Sequence, residues 1–332
     1  MKNNKFILFT AVIILLAIIG YFVYNSLKKE DKTVNKEAIT IGVFTKSMGN
    51  VPYYIAKDKG WFEKALGDKY RIEYMEYNDR PSIASALSSG SLQYIFSAEI
   101  PAILIKAQGV DIRFESLSAT LTQEIIVRSS SSINHIKDLK GKKIAILAGT
   151  SSHYALLKIL DDNGLVPGKD VTIILMEVDK ARVAFEEDKG EGKNSIDAWA
   201  VWPPFVEQQL VTGHAKTLEG SHAYITSVGS MPISFTESNP EVADTLVNII
   251  NRAKNWIVDN REAAQHITAE QLGLDIDIVK LAWDKFNWKA TFNSEILEDM
   301  QNKAMFLSEQ GLTRNNILVN VKNDLISERL KK

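Results

Sequence analysis

From residue 38 onward, short β-branched apolar runs alternate with amphipathic stretches of helical period, the pattern of an α/β protein with mostly parallel sheets. Residues 39–44 read as a strand and 52–64 as a helix, with Pro52 well placed in its first turn. A strand at 71–77, a short helix at 81–89 stopped by Gly90, a strand at 92–96 and a helix at 100–108 ending at Gly109 follow. A second series opens at Glu124-Ile125-Ile126-Val127, read as a crossover strand. It continues with a buried strand at 143–147, a turn and N-cap at Gly149-Thr150-Ser151-Ser152, and a helix at 154–163 closed by Gly164. Strands at 171–176 and 195–201 flank a helix around 180–187. The two series predict two α/β lobes. From about Pro240 the pattern is helical, with breaks at Gly273 and Gly311, and has too little strand for a sheet of its own. It is expected to pack on the first lobe.

The first 30 residues carry a different pattern. Lys2 and Lys5 precede an apolar run at 6–24, interrupted only by Thr10 and Gly20, and Lys28 and Lys29 follow it. The run is long enough to span a bilayer. A cleaved signal peptide has a shorter apolar core and a small-x-small site, which Gly20-Tyr21-Phe22-Val23-Tyr24 does not provide. Residues 1–29 are therefore expected to form an uncleaved signal anchor, a transmembrane helix that places the rest of the chain outside the cytoplasm. Residues 30–37 read as a charged linker.

Composition narrows the function. The 332 residues suffice for two domains, and a formal net charge of −2 with dispersed lysines and arginines gives no footprint for a nucleic acid. The absence of cysteine excludes disulfides, thiolate metal sites, cysteine nucleophiles and a lipidated N-terminal cysteine. The five histidines, at 135, 153, 214, 222 and 266, show no paired metal-ligand spacing, and no P-loop, nucleophile elbow or dinucleotide fingerprint is present. His153 beside Ser151 and Ser152 is the one nucleophile-and-base combination. Adjacent residues at a helix start point different ways, so His153 reads as a ligand contact or packing group. No catalytic residue, metal or cofactor is expected.

In open α/β sheets, ligands bind beyond the carboxyl ends of the strands. Four strand-end loops stand out: Thr45 to Asn50, Ser97-Ala98-Glu99, Gly149 to His153, and Trp199-Ala200-Val201-Trp202. Small hydroxyl residues at a helix start, beside the positive end of the dipole, suit an anion. Trp199 and Trp202 offer a flat apolar wall, although an unbroken strand would send them to opposite faces.

At these loops the chain resembles the periplasmic solute-binding proteins of the aliphatic sulfonate, taurine and nitrate importers. The marks are Pro52-Tyr53-Tyr54-Ile55-Ala56-Lys57-Asp58-Lys59-Gly60-Trp61-Phe62, Leu87 to Gln93, Asp138-Leu139-Lys140-Gly141-Lys142-Lys143-Ile144-Ala145 followed by Gly149 to Leu157, and Ile196-Asp197-Ala198-Trp199 with Trp202 and Pro204. The resemblance implies a type II two-lobed fold: lobe 1 from 38–127 and 225–332, lobe 2 from 128–224, with the solute clamped between them by hinge closure. It implies a monomeric subunit of an ABC importer that hands an alkanesulfonate or taurine to a permease and its ATPase. Carried over by position, the contacts are Met48, Gly49, Ser97, Glu99, Thr150, Ser151, Ser152, His153, Trp199 and Trp202. Four features depart from the family: Trp202-Pro203-Pro204 replaces Trp-Asp-Pro, Ala98-Glu99 replaces Gly-Asp, the stretch at 187–195 is longer, and the expected anchor has no lipid-bearing cysteine. The alternatives are another small solute such as a nitrate-like anion or a thiamine-pyrimidine precursor, a membrane-tethered ligand sensor, and a fold-related thiamine-pyrimidine biosynthetic enzyme, whose cysteine-rich motif is absent.

Overall fold

The computed structural model describes residues 36–44, 47–187, 195–221 and 223–330. The expected anchor at 1–29, nearly all of the expected linker, Thr45, Lys46 and the centre of the 187–195 insertion lie outside the described residues. Among the described residues, no helix is long and apolar enough to cross a membrane.

Strand β1 (Glu37–Phe44) is followed by a single 3-10 turn (Met48–Asn50), α1 (Val51–Asp58) and α2 (Trp61–Leu66). Next come β2 (Tyr70–Tyr77), α3 (Arg80–Ser88), β3 (Tyr94–Ala98) and α4 (Glu99–Ala107). Strand β4 (Ile112–Arg128) crosses to β5 (Lys143–Ile146), α5 (Ser151–Asp162), β6 (Thr172–Leu175), α6 (Val178–Glu187), β7 (Ala198–Val201), α7 (Phe205–Val211) and β8 (Ala215–Thr217). Strand β9 (Ala223–Pro232) returns, and α8 (Ile233–Ser238), α9 (Pro240–Asp259), α10 (Arg261–Leu272), α11 (Ile276–Trp283), β10 (Phe286–Asn287) and α12 (Ser294–Glu309) complete the framework.

The strands join in the order β2-β1-β3-β9-β4-β7-β5-β6. Two parallel sets, β2-β1-β3 and β7-β5-β6, are linked by β4 and β9, which run antiparallel to each other and to their neighbours. Strand β4 pairs with β9 from Ile112 to Gln123 and with β7 from Glu124 to Val127, so one chain segment belongs to both half-sheets. The sheet is therefore mixed where the sequence reading expected mostly parallel pairing, because the segments that cross between halves form strands of their own.

Side chains alternate faces along these strands, as the pleat requires. In β7, Ala198 and Ala200 join the core under α5 with Leu156 and Leu160, while Trp199 and Val201 join the core on the other face. Helix α9 turns Ala243, Leu246, Val247, Ile250, Ala253 and Ile257 inward at helical spacing. Burying each of its larger side chains stabilises the fold by about 1.5–3 kcal/mol.

Three expectations are corrected. The helix expected at 52–64 is two helices, because Gly60 adopts φ 60° and closes α1 before Trp61 opens α2. The crossover strand expected at 124–127 begins twelve residues earlier, at Ile112. Strand β9 was not expected at all. Its core, Thr226-Ser227-Val228-Gly229-Ser230, is rich in small polar residues and reads as a loop until its neighbours β3 and β4 are in place.

Candidate functional site

The carboxyl ends of β1 and β3, the start of α5 and the middle of β4 and β9 meet at one cleft, with about 470 Å³ of empty space partly open to solvent. Its floor comes from the crossing strands: Leu121 of β4 is paired with Ile225 of β9, and Ser227 lies two residues on. Phe44, Ala98, Pro101 and Trp202 supply further apolar wall, while Ser47, Asn50 and Thr150 to Ser152 supply the polar side.

The start of α5 is built locally. Gly149 adopts φ 67°, a left-handed conformation that brings Thr150 to the N-cap. The Thr150 hydroxyl accepts from the His153 backbone N–H at 3.3 Å and donates to the Leu147 carbonyl at 2.8 Å. Ser151 and Ser152 then occupy the first turn, 2% and 0% exposed, and neither hydroxyl has a partner among the described residues. Across the cleft, Asn50 is 1% exposed and both atoms of its amide are likewise unpartnered. Buried polar groups are almost always hydrogen bonded. Three that are not, facing one cleft at the positive end of a helix dipole, form a donor set for an acceptor-rich group.

A cation lies at the same place. A Cβ built on Gly149 would stand 2.9 Å from Arg80 Nη2, so the guanidinium, carried by the first residue of α3, rests on the loop that starts α5. Arg80 makes no ion pair among the described residues, and burial holds its guanidinium below the ordinary arginine range. The sequence signal was Asp79-Arg80-Pro81 just past the end of β2, a position of the same kind as the four loops singled out.

The ten residues expected to touch a ligand fall into three groups. Thr150, Ser151, Ser152 and Trp202 line the cleft. Gly49 and His153 stand behind the lining. A Cβ at Gly49 would overlap Ser227 Oγ and lie 3.1 Å from Ser227 Cβ, and His153 Nδ1 accepts from the Gly149 N–H at 3.3 Å. Burial holds the His153 ring below the usual histidine range, so it is neutral at pH 7. Met48, Ser97, Glu99 and Trp199 are placed in the interior. The Ser97 hydroxyl donates to Ala98 O, and Trp199 packs between Phe185 and Phe205 with ring centroids about 6 Å away. Glu99 is fully buried with both oxygens engaged, Oε1 by Lys303 Nζ at 2.6 Å and Oε2 by the Thr226 N–H at 2.9 Å. Its charge is thus paired inside the core and does not repel an anion in the cleft.

Trp202, held edge-on by Phe205, also borders a wider outer cavity with about 1370 Å³ of empty space open to solvent. Glu76, Glu177 and Asp179 line that cavity, and among the described residues no lysine or arginine does. Trp202 is common to the lining of both cavities.

Known proteins agree with this architecture. The chain is 31% identical over 286 residues, 84% of its length and 81% of the relative's, to a putative aliphatic sulfonates-binding protein of Bacillus subtilis (strain 168). Among solved structures, the periplasmic aliphatic sulphonate binding protein SsuA from Escherichia coli superposes with a TM-score of 0.72 at 23% identity, covering 89% of this chain and 99% of that one. The desulfurization enzyme DszB shares the fold at a TM-score of 0.61 and 18% identity, over 88% of this chain and 98% of its own. The model of the family described as NMT1/THI5 like matches residues 48–264, and with these relatives it establishes that the chain belongs to the NMT1/THI5-like family and has the fold of the periplasmic binding proteins.

Proposed function

We propose that the protein is the extracytoplasmic solute-binding subunit of an ABC importer and that it holds a small organosulfonate in the cleft beside α5. The observation that carries this reading is the convergence of buried Asn50, Ser151 and Ser152, unpartnered among the described residues, on a cleft whose other wall is apolar. A sulfonate offers three acceptor oxygens and one negative charge to the hydroxyls, the amide, the helix start and the Arg80 guanidinium. Its organic part lies against Phe44, Leu121 and Trp202. Residues 38–127 with 225–332 form one lobe and 128–224 the other, and closure about the crossing strands buries the solute. The apolar run at 6–24 tethers the receptor to the membrane from outside the cytoplasm.

An aminated sulfonate such as taurine is favoured over a plain alkanesulfonate by one further observation: the acidic mouth formed by Glu76, Glu177 and Asp179, where an ammonium group would be attracted. The enzymatic reading has less support, because the His153 ring nitrogen nearest the loop is taken up by the Gly149 N–H.

Titration calorimetry tests the assignment. Ethanesulfonate and taurine are expected to bind the wild-type chain, and Arg80→Ala is expected to weaken both by about tenfold or more, as loss of a charge-assisted contact implies. Binding of neither would overturn the assignment, and equal binding by Arg80→Ala would remove Arg80 from the site. The mouth is tested by the ratio of the two affinities: Glu177→Gln with Asp179→Asn should shift it toward ethanesulfonate.

A further inference from the structure

Where β4 leaves one half-sheet for the other, a buried charged triad takes the place of apolar packing. Gln123 is the last β4 residue paired with β9, and Glu124 is the first paired with β7. The Lys285 ammonium is hydrogen bonded to Glu124 Oε2 and lies 2.7 Å from Glu207 Oε1. The side chain of Glu124 is 7% exposed and that of Glu207 is 0% exposed, and the Lys285 ammonium is the cation paired with Glu207 among the described residues. The neighbouring Gln123 amide, also fully buried, has no partner for either of its polar atoms among the described residues.

The three charges belong to different bodies. Lys285 is fixed to the first half-sheet, because its carbonyl accepts from the Thr122 N–H and the next two residues, β10, pair with Leu121 and Thr120. Glu207 rides on α7, which follows β7 of the second half-sheet. Glu124 sits on the strand both halves share. Lys285 is thus held by β4 at Thr120 to Thr122 and Glu207 by α7, so a rotation of one half about the crossing strands would change their separation.

We infer that Lys285 and Glu207 are positioning residues for solute binding: they tie the two halves together at the pivot and set the balance between open and closed cleft, although neither touches the cleft. The inference rests on the two-lobed receptor reading above. The apparent affinity of a receptor falls with the fraction of it that can close, so a residue that shifts this fraction alters affinity from a distance. Burial pushes the Glu207 carboxyl up and Lys285 pulls it down, with Glu124 opposing. The other charges on elements packed here do not enter: Asp277 and Lys280 of α11 are exposed, and Glu186 of α6 bonds Gln209 and Arg182.

The test uses the full chain, which has no cysteine of its own. Dyes on Lys64→Cys and Lys180→Cys, exposed positions on α2 and α6, report the distance between halves by energy transfer, and calorimetry reports ethanesulfonate affinity. Glu207→Gln leaves Lys285 paired with Glu124 and so leaves no buried charge bare. It is expected to lengthen the ligand-free distance and weaken binding by about tenfold. Lys285→Met is expected to do the same more strongly, because the fully buried Glu207 carboxylate then loses its ammonium. Wild-type distance and affinity in Glu207→Gln would overturn the inference. So would loss of affinity with the distance unchanged, which would mark a merely structural role. If no sulfonate binds the wild-type chain, the solute assignment fails, and the ligand-free distance of Glu207→Gln still decides this inference.

Discussion

Replacing Ser151 and Ser152 together by alanine should make the ligand-free protein more stable and the receptor nearly blind. Both residues are buried, at 2% and 0% exposure, and neither hydroxyl has a partner among the described residues. A buried hydroxyl with no partner in the protein costs roughly 1 kcal/mol relative to an apolar replacement. Alanine in the first turn of α5 adds up to about 0.5 kcal/mol at each position through helix propensity. The double variant should therefore gain about 2 kcal/mol, a rise in melting temperature of a few degrees for a chain of this size. Binding moves the other way. Each lost hydrogen bond to a charged group costs about 1.5–3 kcal/mol, so the pair should weaken a sulfonate by about a hundredfold or more.

The assay is a melting curve with and without ligand, backed by calorimetry. Wild type should melt lower alone and gain strongly from saturating ligand; the double variant should melt higher alone and gain little. A double variant that melts below wild type without ligand would show that the hydroxyls serve the fold. One that binds with unchanged affinity would show that they do not serve the site. Opposite signs for stability and affinity are expected only where a polar group has been buried for a partner that is not part of the chain.

Three further outcomes follow from neighbouring groups. Gly49→Ala should weaken binding more than it destabilises, by about 1–3 kcal/mol, because the added methyl overlaps Ser227 Oγ on the cleft floor; a crystal structure showing Ser227 unmoved would refute it. Lys303→Met should cost about 3–5 kcal/mol by stranding the Glu99 carboxylate in the core, and adding Glu99→Gln should recover most of that in denaturant melts. His153 has a depressed folded pKa, so the unfolded chain binds its proton first; its contribution is fully present above the unfolded value of about 6.5 and is lost as pH falls from there through the lower folded value. His153→Gln should therefore lose less stability than wild type between pH 7 and pH 5, and parallel curves would refute the assignment.

The parts of the fold legible in the sequence were those whose signal is local. Strand, turn and helix at 143–163 were readable because Gly149 and Thr150 mark a helix start chemically, and Thr150 is the N-cap. The turn at Gly60 escaped notice because Lys59-Gly60 interrupts an amphipathic pattern that continues on both sides, and a glycine in such a run does not declare whether its φ is positive. Strands β4 and β9 escaped for a different reason. Their stability comes from pairing with each other across 100 residues or more, and Ser227, Gly229 and Ser230 have little strand propensity without that partner.

The site divides along the same line. Hydroxyls at a helix start announce themselves in one dimension, and Thr150, Ser151 and Ser152 line the cleft. The tryptophan pair was undecidable locally, since an odd spacing sends two strand residues to opposite faces without saying which face is the cleft. The structure turns Trp199 into the core and ends the strand at Val201, which leaves Trp202 free to border the cleft. Glu99 is the sharpest case. Read alone it is a carboxylate placed to repel an anion, and only Lys303, 204 residues further along, reverses that meaning by taking its charge into the core. Arg80 shows the converse, a surface-looking arginine that becomes a candidate anion ligand once Gly149 is folded beneath it. The electrostatics of this cleft are thus set by two pairings between distant segments, and a reading of local motifs can name the residue types there but not the sign of the field they produce.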